Sequence, residues 1–252
     1  MRTLFVTGTD TGVGKTHVAA MLLRELAQAG YHAGAYKPAC SGAIVTTDNP
    51  PSWDDITRIA DALRGSRCAT GSASVFPADA HGDHFDERAL AEPVAHTMNL
   101  AEMICPQRFL APLAPPLAAR REGRRVDVAA INAGLAAWRN RCEALVVEGA
   151  GGWFCPLTET ESFAQWVTRW RMPVLIVARR GLGTINHTLL TIAAIRTCRL
   201  PIMGVIMNQA TEQDDDPSAE ENGAEIEARS GVPVLGEILW KRTELQRGGR
   251  SV

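Results

Sequence analysis

FVTGTDTGVGKT, running from Phe5 to Thr16, decides how this chain reads. An apolar run, Thr3–Thr7, enters it, and the helix-period residues Val18, Leu22, Leu26 and Ala29 follow, with Gly30 where a helix would stop. A glycine loop between a strand and a helix is the context a phosphate loop requires. Gly8, Gly12 and Gly14 let the backbone curl so that successive N–H groups face phosphate oxygens. The start of the helix adds its own free N–H groups and positive dipole end. Lys15 has the reach for the β- and γ-phosphates, and the Thr16 hydroxyl suits Mg²⁺. The spacing departs from G-x-x-x-x-G-K-[ST]: Thr9 stands at the first glycine position, and Gly8 before it makes the loop one residue longer. With these flanks the stretch predicts nucleotide binding, and leaves the reaction open.

Outward from the loop, short apolar runs alternate with helical patterns, the signature of a parallel α/β sheet. The runs are Thr3–Thr7, His32–Tyr36, Ala144–Val147, Pro173–Ala178, Ile202–Met207 and Val232–Ile238. His32–Tyr36 is the least apolar and so the least central. Helical patterns at Ile185–Thr197 and Ser218–Arg229 separate the last three. The fold expected is a three-layer P-loop NTPase fold, with a mostly parallel central sheet flanked by helices, in a single domain over residues 1–252. Residues 65–98 break the rhythm and read as an insertion or irregular excursion, with one helix near Glu87–His96. Asp79, His81, Asp83, His84 and Asp86 fit no established metal-ligand spacing and read as a solvated loop. Glu212–Asp216 reads as a charged, solvent-facing turn.

In such sheets ligands bind beyond the carboxyl ends of the strands. After the second run comes YKPACSG, with Lys37 and Ser41; after the third, VEGAGGWF, with Glu148 and a run of glycines. Gly181 and Gly183 open a helix after the fourth, Asn208 follows the fifth, and Leu239–Trp240 the last. Beside Lys15, these place a second cation, a carboxylate able to join Thr16 on magnesium, and an amide near the base site. That set fits an ATP-dependent transferase or ligase. Asp55, in WDDIT, offers a second acidic metal ligand, and the adjacent Asp54 is nearly as eligible.

Bulk properties narrow the class. The 252 residues are 46 % hydrophobic and 21 % charged, with a net charge of -2, which gives no basic footprint for nucleic acid. No apolar run approaches the ~20 residues that cross a bilayer, and no secretory leader is legible. Six dispersed cysteines show no ligand-like spacing, as expected of reduced, mostly buried thiols in a cytoplasmic protein.

GTDTGVGKT, YKPACSG, VEGAGGWFCPL, GTINH and VPVLGEI, in this order, resemble the blocks of the dethiobiotin synthetase family. The resemblance implies a ligase of biotin biosynthesis that acts on 7,8-diaminopelargonic acid, ATP and CO2 with Mg²⁺. It implies that Lys15, Lys37 and Thr11 act at the reacting centre. Gly12, Val13, Gly14, Lys15, Thr16, Asn208, Leu239 and Trp240 would hold ATP, and Thr16, Asp55 and Glu148 the metal. Thr11, Lys37, Ser41, Gly151 and Gly152 would meet the diamine. A homodimer is implied too, with the substrate carboxylate at the helix start Gly183, Thr184, Ile185 and Asn186 of the other subunit. Three positions depart from many members: Gly12 stands where some have Glu, Pro116 where many have His, and Cys155 where Thr is common.

The alternative of a different class is a nucleotide-dependent dimerising switch of the partition or septum-positioning type. Those ATPases carry an extra lysine early in the loop, where this chain has TGTDT, and membrane-binding versions add an amphipathic tail. KRTELQRGGRSV is short and broken by glycine.

Overall fold

A computed structural model describes residues 1–65, 99–212, 216, 219–242 and 244–246. The elements run β1 (Arg2–Gly8), α1 (Lys15–Gln28), β2 (Ala33–Tyr36), α2 (Asp54–Gly65), α3 (Leu100–Ile104), α4 (Pro115–Arg121) and α5 (Val128–Ala136). After them come β3 (Ala144–Gly152), α6 (Phe163–Trp170), β4 (Val174–Arg179), α7 (Thr184–Thr197), β5 (Ile202–Asn208), α8 (Ala219–Ser230) and β6 (Val234–Ile238). The strands form one sheet in the order β2-β3-β1-β4-β5-β6, and every neighbouring pair is parallel. The mostly parallel sheet expected from the sequence is thus wholly parallel among these strands.

Burial explains why these runs became strands. Leu4, Phe5 and Val6 are consecutive and all buried, as are Val174–Ala178, so both faces of the central strands lie under helices. Phe5 packs edge-on against Trp153, with ring centroids 6.2 Å apart, and against Phe163 of α6 at 6.1 Å. α1 buries Val18, Leu22, Leu23 and Leu26 and stops at Ala29, where Gly30 takes a positive φ of 82° and the Tyr31 N–H returns to Leu26 O. β2, the least apolar run, lies at the sheet edge. Beyond β6 the chain doubles back, and Glu237 and Gln246 exchange backbone hydrogen bonds as an isolated antiparallel bridge.

The topology makes a binding crevice. From β1 the chain crosses to β2 on one side, and from β4 it proceeds to β5 on the other, so their carboxyl ends part at the centre of the sheet. The glycine loop leaves β1 at this point.

The chain is richer in short helices than its periodicity suggests. α3 is five residues long and held by a capping box at Asn99. α4 starts on Pro115 and Pro116, where the missing N–H groups cost nothing. The insertion expected over 65–98, its helix and its acid–histidine cluster lie, from residue 66 on, outside the described residues, as do 213–215 of the charged turn.

Gly34 lies in β2 directly beneath Trp138. A Cβ there would stand 2.6 Å from the indole ring and 2.8 Å from Cys142 Sγ. Gly34→Val therefore forces the ring aside. A stability loss of about 1–3 kcal/mol is expected, read as a lower denaturant midpoint at constant m-value; an unchanged midpoint would show that the edge strand yields freely.

Candidate active site

The loop after β1 is built to receive an anion. Gly12 and Gly14 take φ of 76° and 92°. Gly14 is the N-cap of α1, and no side chain caps the helix, so its first N–H groups are free for phosphate oxygens. Gly14 also has no room for a side chain, since a Cβ would meet Asn208 Nδ2 at 2.1 Å. That amide donates to Val13 O at 2.9 Å. Lys15 is buried and donates to Asp10 O at 2.9 Å. Burial, tempered by nearby Glu148, pulls its pKa down to about 8.

Lys37 is delivered by the carboxyl end of β2. The Tyr36 ring is fully buried and its hydroxyl donates to Ile131 O of α5 at 2.7 Å. The Lys37 N–H then donates to Ile104 O at 2.7 Å, and Pro38 fixes the exit. The ammonium, 2 % exposed, lies 2.5 Å from Glu148 Oε1 and 2.9 Å from Asp55 Oδ2. Burial alone would discharge it, but Glu148 and Asp55 outweigh burial and hold it well above the usual lysine range. Burial acts against the Asp55 carboxylate too, and Lys37 overcomes it, so Asp55 titrates below its ordinary range.

Asp55 comes from the first turn of α2. Trp53 steadies that turn, its indole N–H donating to Phe109 O at 2.9 Å. Of the two eligible acids, Asp55 is the one that reaches Thr16; Asp54 pairs with Arg58 at 2.8 Å on the rim. Glu148 sits within β3, opposite Val6, and is 1 % exposed.

These oxygens are short of protons. Thr16 Oγ1 lies 2.9 Å from Asp55 Oδ1 and 2.7 Å from Glu148 Oε1, yet a hydroxyl has one hydrogen to give. Glu148 Oε2 is buried without a hydrogen-bond partner. A hydroxyl and two carboxylates arranged in this way fit a hard divalent cation that completes its shell with phosphate oxygens and water, as Mg²⁺ does. Among the described residues no cluster of three or more His, Cys, Asp or Glu suits a metal held by protein alone.

One cavity of about 640 Å³ gathers most of the expected set: Thr11, Gly12, Gly14, Lys15, Thr16, Lys37, Ser41, Asp55, Glu148, Gly151, Asn208, Leu239 and Trp240. Val13 stands behind the lining and holds Asn208 through its carbonyl. Gly152 pairs with Gly8 in the sheet and does not line the cavity. Gly183, Thr184, Ile185 and Asn186 lie apart from it, at the start of α7. Residues the sequence did not single out also line it: His17, Cys40, Arg58, Gln209, Ala210 and Lys241. His17, Cys40, Gln209 and Lys241 adjoin residues that were singled out, and that adjacency was the available signal. Burial pushes the Cys40 thiol up to about 12, so it stays neutral. Cys105 and Cys142 are buried as expected of structural thiols, while Cys155 and Cys198 are only partly so.

A family profile described as an AAA domain matches residues 2–63 and 80–244. An ATP-dependent dethiobiotin synthetase from Anaeromyxobacter sp. (strain Fw109-5) is 41 % identical over 100 % of this chain and 96 % of its own length. A synthetase of the same description from Salmonella typhi is 35 % identical over 94 % and 88 %. A solved ParA family ATPase from Chlorobium tepidum TLS covers 95 % of this chain and 85 % of its own at 16 % identity and a TM-score of 0.46, too distant to bear on function. With identity of this order along its whole length, and with Lys15, Lys37, Thr16, Asp55 and Glu148 in one cavity, the chain belongs to the ATP-dependent dethiobiotin synthetase family.

Proposed function

We propose that this chain closes a ureido ring on 7,8-diaminopelargonic acid, using CO2 and MgATP and releasing ADP and phosphate. The observation that carries this reading is the meeting of two buried ammonium groups, Lys15 and Lys37, with Thr16, Asp55 and Glu148 in a single cavity. One amine of the diamine adds to CO2 and loses a proton, giving a carbamate. A carbamate oxygen attacks the γ-phosphorus, ADP leaves, and a carbamic–phosphoric anhydride remains. The second amine attacks its carbonyl carbon, the C–O bond to phosphate breaks, and the ring closes.

Each of these species is anionic near the phosphate, so the protein's task is to place positive charge and exclude water. Lys15 serves the phosphate oxygens. Lys37, kept charged by its carboxylate neighbours, faces the carbamate and the transferring phosphoryl group. Thr11 and Ser41, with the backbone around Gly151, orient the diamine. Asn208 carries the base end, and its side-chain oxygen is left as an acceptor because Nδ2 is committed to Val13. Thr16, Asp55 and Glu148 would hold Mg²⁺, which when bound neutralises charge between the β- and γ-phosphates.

The substrate's carboxylate tail needs a separate partner. The start of α7 fits it: Gly183 takes a φ of 87°, and no side chain caps the helix. Since this helix start lies away from the chain's own cavity, we assign it to the site of a second subunit in a homodimer. Exposed Leu182 and Leu190, 84 % and 61 % accessible, support self-association on that face. No helix among the described residues is long and apolar enough to cross a membrane, and a cytoplasmic location is part of the proposal.

Incubation with MgATP, bicarbonate and the diamine should give dethiobiotin and ADP in equal amounts; diamine-independent ADP release without dethiobiotin would remove the reading. Lys37→Ala should lower ring closure by at least a hundredfold while ATP binding persists, and undiminished turnover would take Lys37 out of the chemistry. Asp55→Asn should raise the Mg²⁺ concentration needed for half-maximal rate by tenfold or more, with ATP alone binding as in the parent. Light scattering should read twice the chain mass, and a monomer that is fully active would exclude the shared site.

A further inference from the structure

The turn over the base end of the cavity is tied to the phosphate helix by one side chain. Leu239 to Arg242 form a tight turn closed by the Arg242 N–H on Leu239 O at 3.0 Å. Lys241, its third residue, has a φ of 59°, a conformation a side-chain-bearing residue adopts at a cost and keeps only when held from outside. Two contacts hold it among the described residues. Gln209 Oε1 accepts the Trp240 N–H at 3.2 Å, and His17 Nε2 lies 2.8 Å from Arg242 O. A carbonyl oxygen only accepts, so His17 carries its proton on Nε2 and donates it. His17 is the residue after Thr16, in the first turn of α1. The bond therefore joins two walls of the cavity: the helix that receives the triphosphate, and the turn that presents Leu239, Trp240 and Lys241.

We infer that His17 is a positioning residue for nucleotide binding, which clamps the Leu239–Arg242 turn against α1 so that Trp240 and its neighbours offer a ready-made face to the base. The inference rests on the cavity's being a nucleotide site and not on ring closure. His17 reaches no reacting atom, and its effect runs through the turn. A base-bearing ligand gains from the clamp and a bare phosphate chain does not.

Calorimetric titration of the whole chain in Mg²⁺ with ATP, and separately with inorganic tripolyphosphate, tests it. His17→Ala should weaken ATP about three- to tenfold, the range of one net hydrogen bond, and leave tripolyphosphate within about twofold. The KM for ATP should rise alongside, with kcat and the diamine KM unchanged. His17→Gln, whose amide N–H reaches the same carbonyl, should recover most of the ATP affinity. Equal weakening of both ligands would mean that the phosphate loop itself is disturbed, and would overturn the clamp. So would unaltered ATP affinity in His17→Ala, or a Gln variant as weak as Ala. If the parent binds ATP as expected and forms no dethiobiotin, the reaction assigned above fails while the clamp is still decided by the two titrations.

Discussion

A buried carboxylate with more neighbours than protons is the constraint around which this molecule is arranged. Glu148 Oε1 receives both the Lys37 ammonium and the Thr16 hydroxyl, which binds β3, the carboxyl end of β2 and the start of α1 into one point. Asp55 closes the figure from α2. Stripping water from these charges costs several kcal/mol per ion in real proteins, and pairing them rarely returns a surplus. The cluster is therefore not what stabilises the fold. The all-parallel sheet, covered on both faces, provides the apolar burial that offsets it. What the cluster brings in return is a lysine that stays charged inside the protein and oxygens ready for a cation.

The end of the cavity lined by Asn208 is organised by packing and not by charge. Asn208 makes three contacts at once: its side-chain amide holds Val13 O, its bulk occupies the space that Gly14 lacks a side chain to fill, and its main-chain carbonyl accepts the Arg180 N–H at 3.0 Å. A glycine in the loop and an asparagine at the end of β5 are thus one fitted pair separated by 194 positions along the chain. Neither has its meaning alone.

This is also where the sequence was most and least legible. The central strands announced themselves because a strand covered on both faces needs an unbroken apolar run, and Val174–Ala178 has no other stable home. β2 was rightly placed toward the edge for the opposite reason. Lys15 and Thr16 stood out from local spacing, whereas which of Asp54 and Asp55 reaches Thr16 depended on the direction of α2, which no local pattern carries. α3, α4 and α5 escaped because helices of five to nine residues hold too few turns to establish a period. α6 was findable: Ser162 and Gln165 form a capping box, and Phe163, Trp166, Val167 and Trp170 fall on one buried face. The tie from His17 to Arg242 was invisible, because its partner is a backbone carbonyl, and main-chain acceptors leave no mark in a sequence.

The antiparallel bridge between Glu237 and Gln246 has a meaning beyond local geometry. A sheet of this kind ends in two unpaired rims, and an apolar strand such as Val234–Ile238 with free N–H and C=O groups is a template on which another chain can add itself. Here the returning segment occupies that rim, and Gly236 lets it approach so closely that a Cβ would stand 2.5 Å from Gln246 O. Residues 245–246 thus act as a guard on colloidal behaviour: at Glu237 they take up a main-chain N–H and C=O that a second chain could otherwise use to add itself edge to edge.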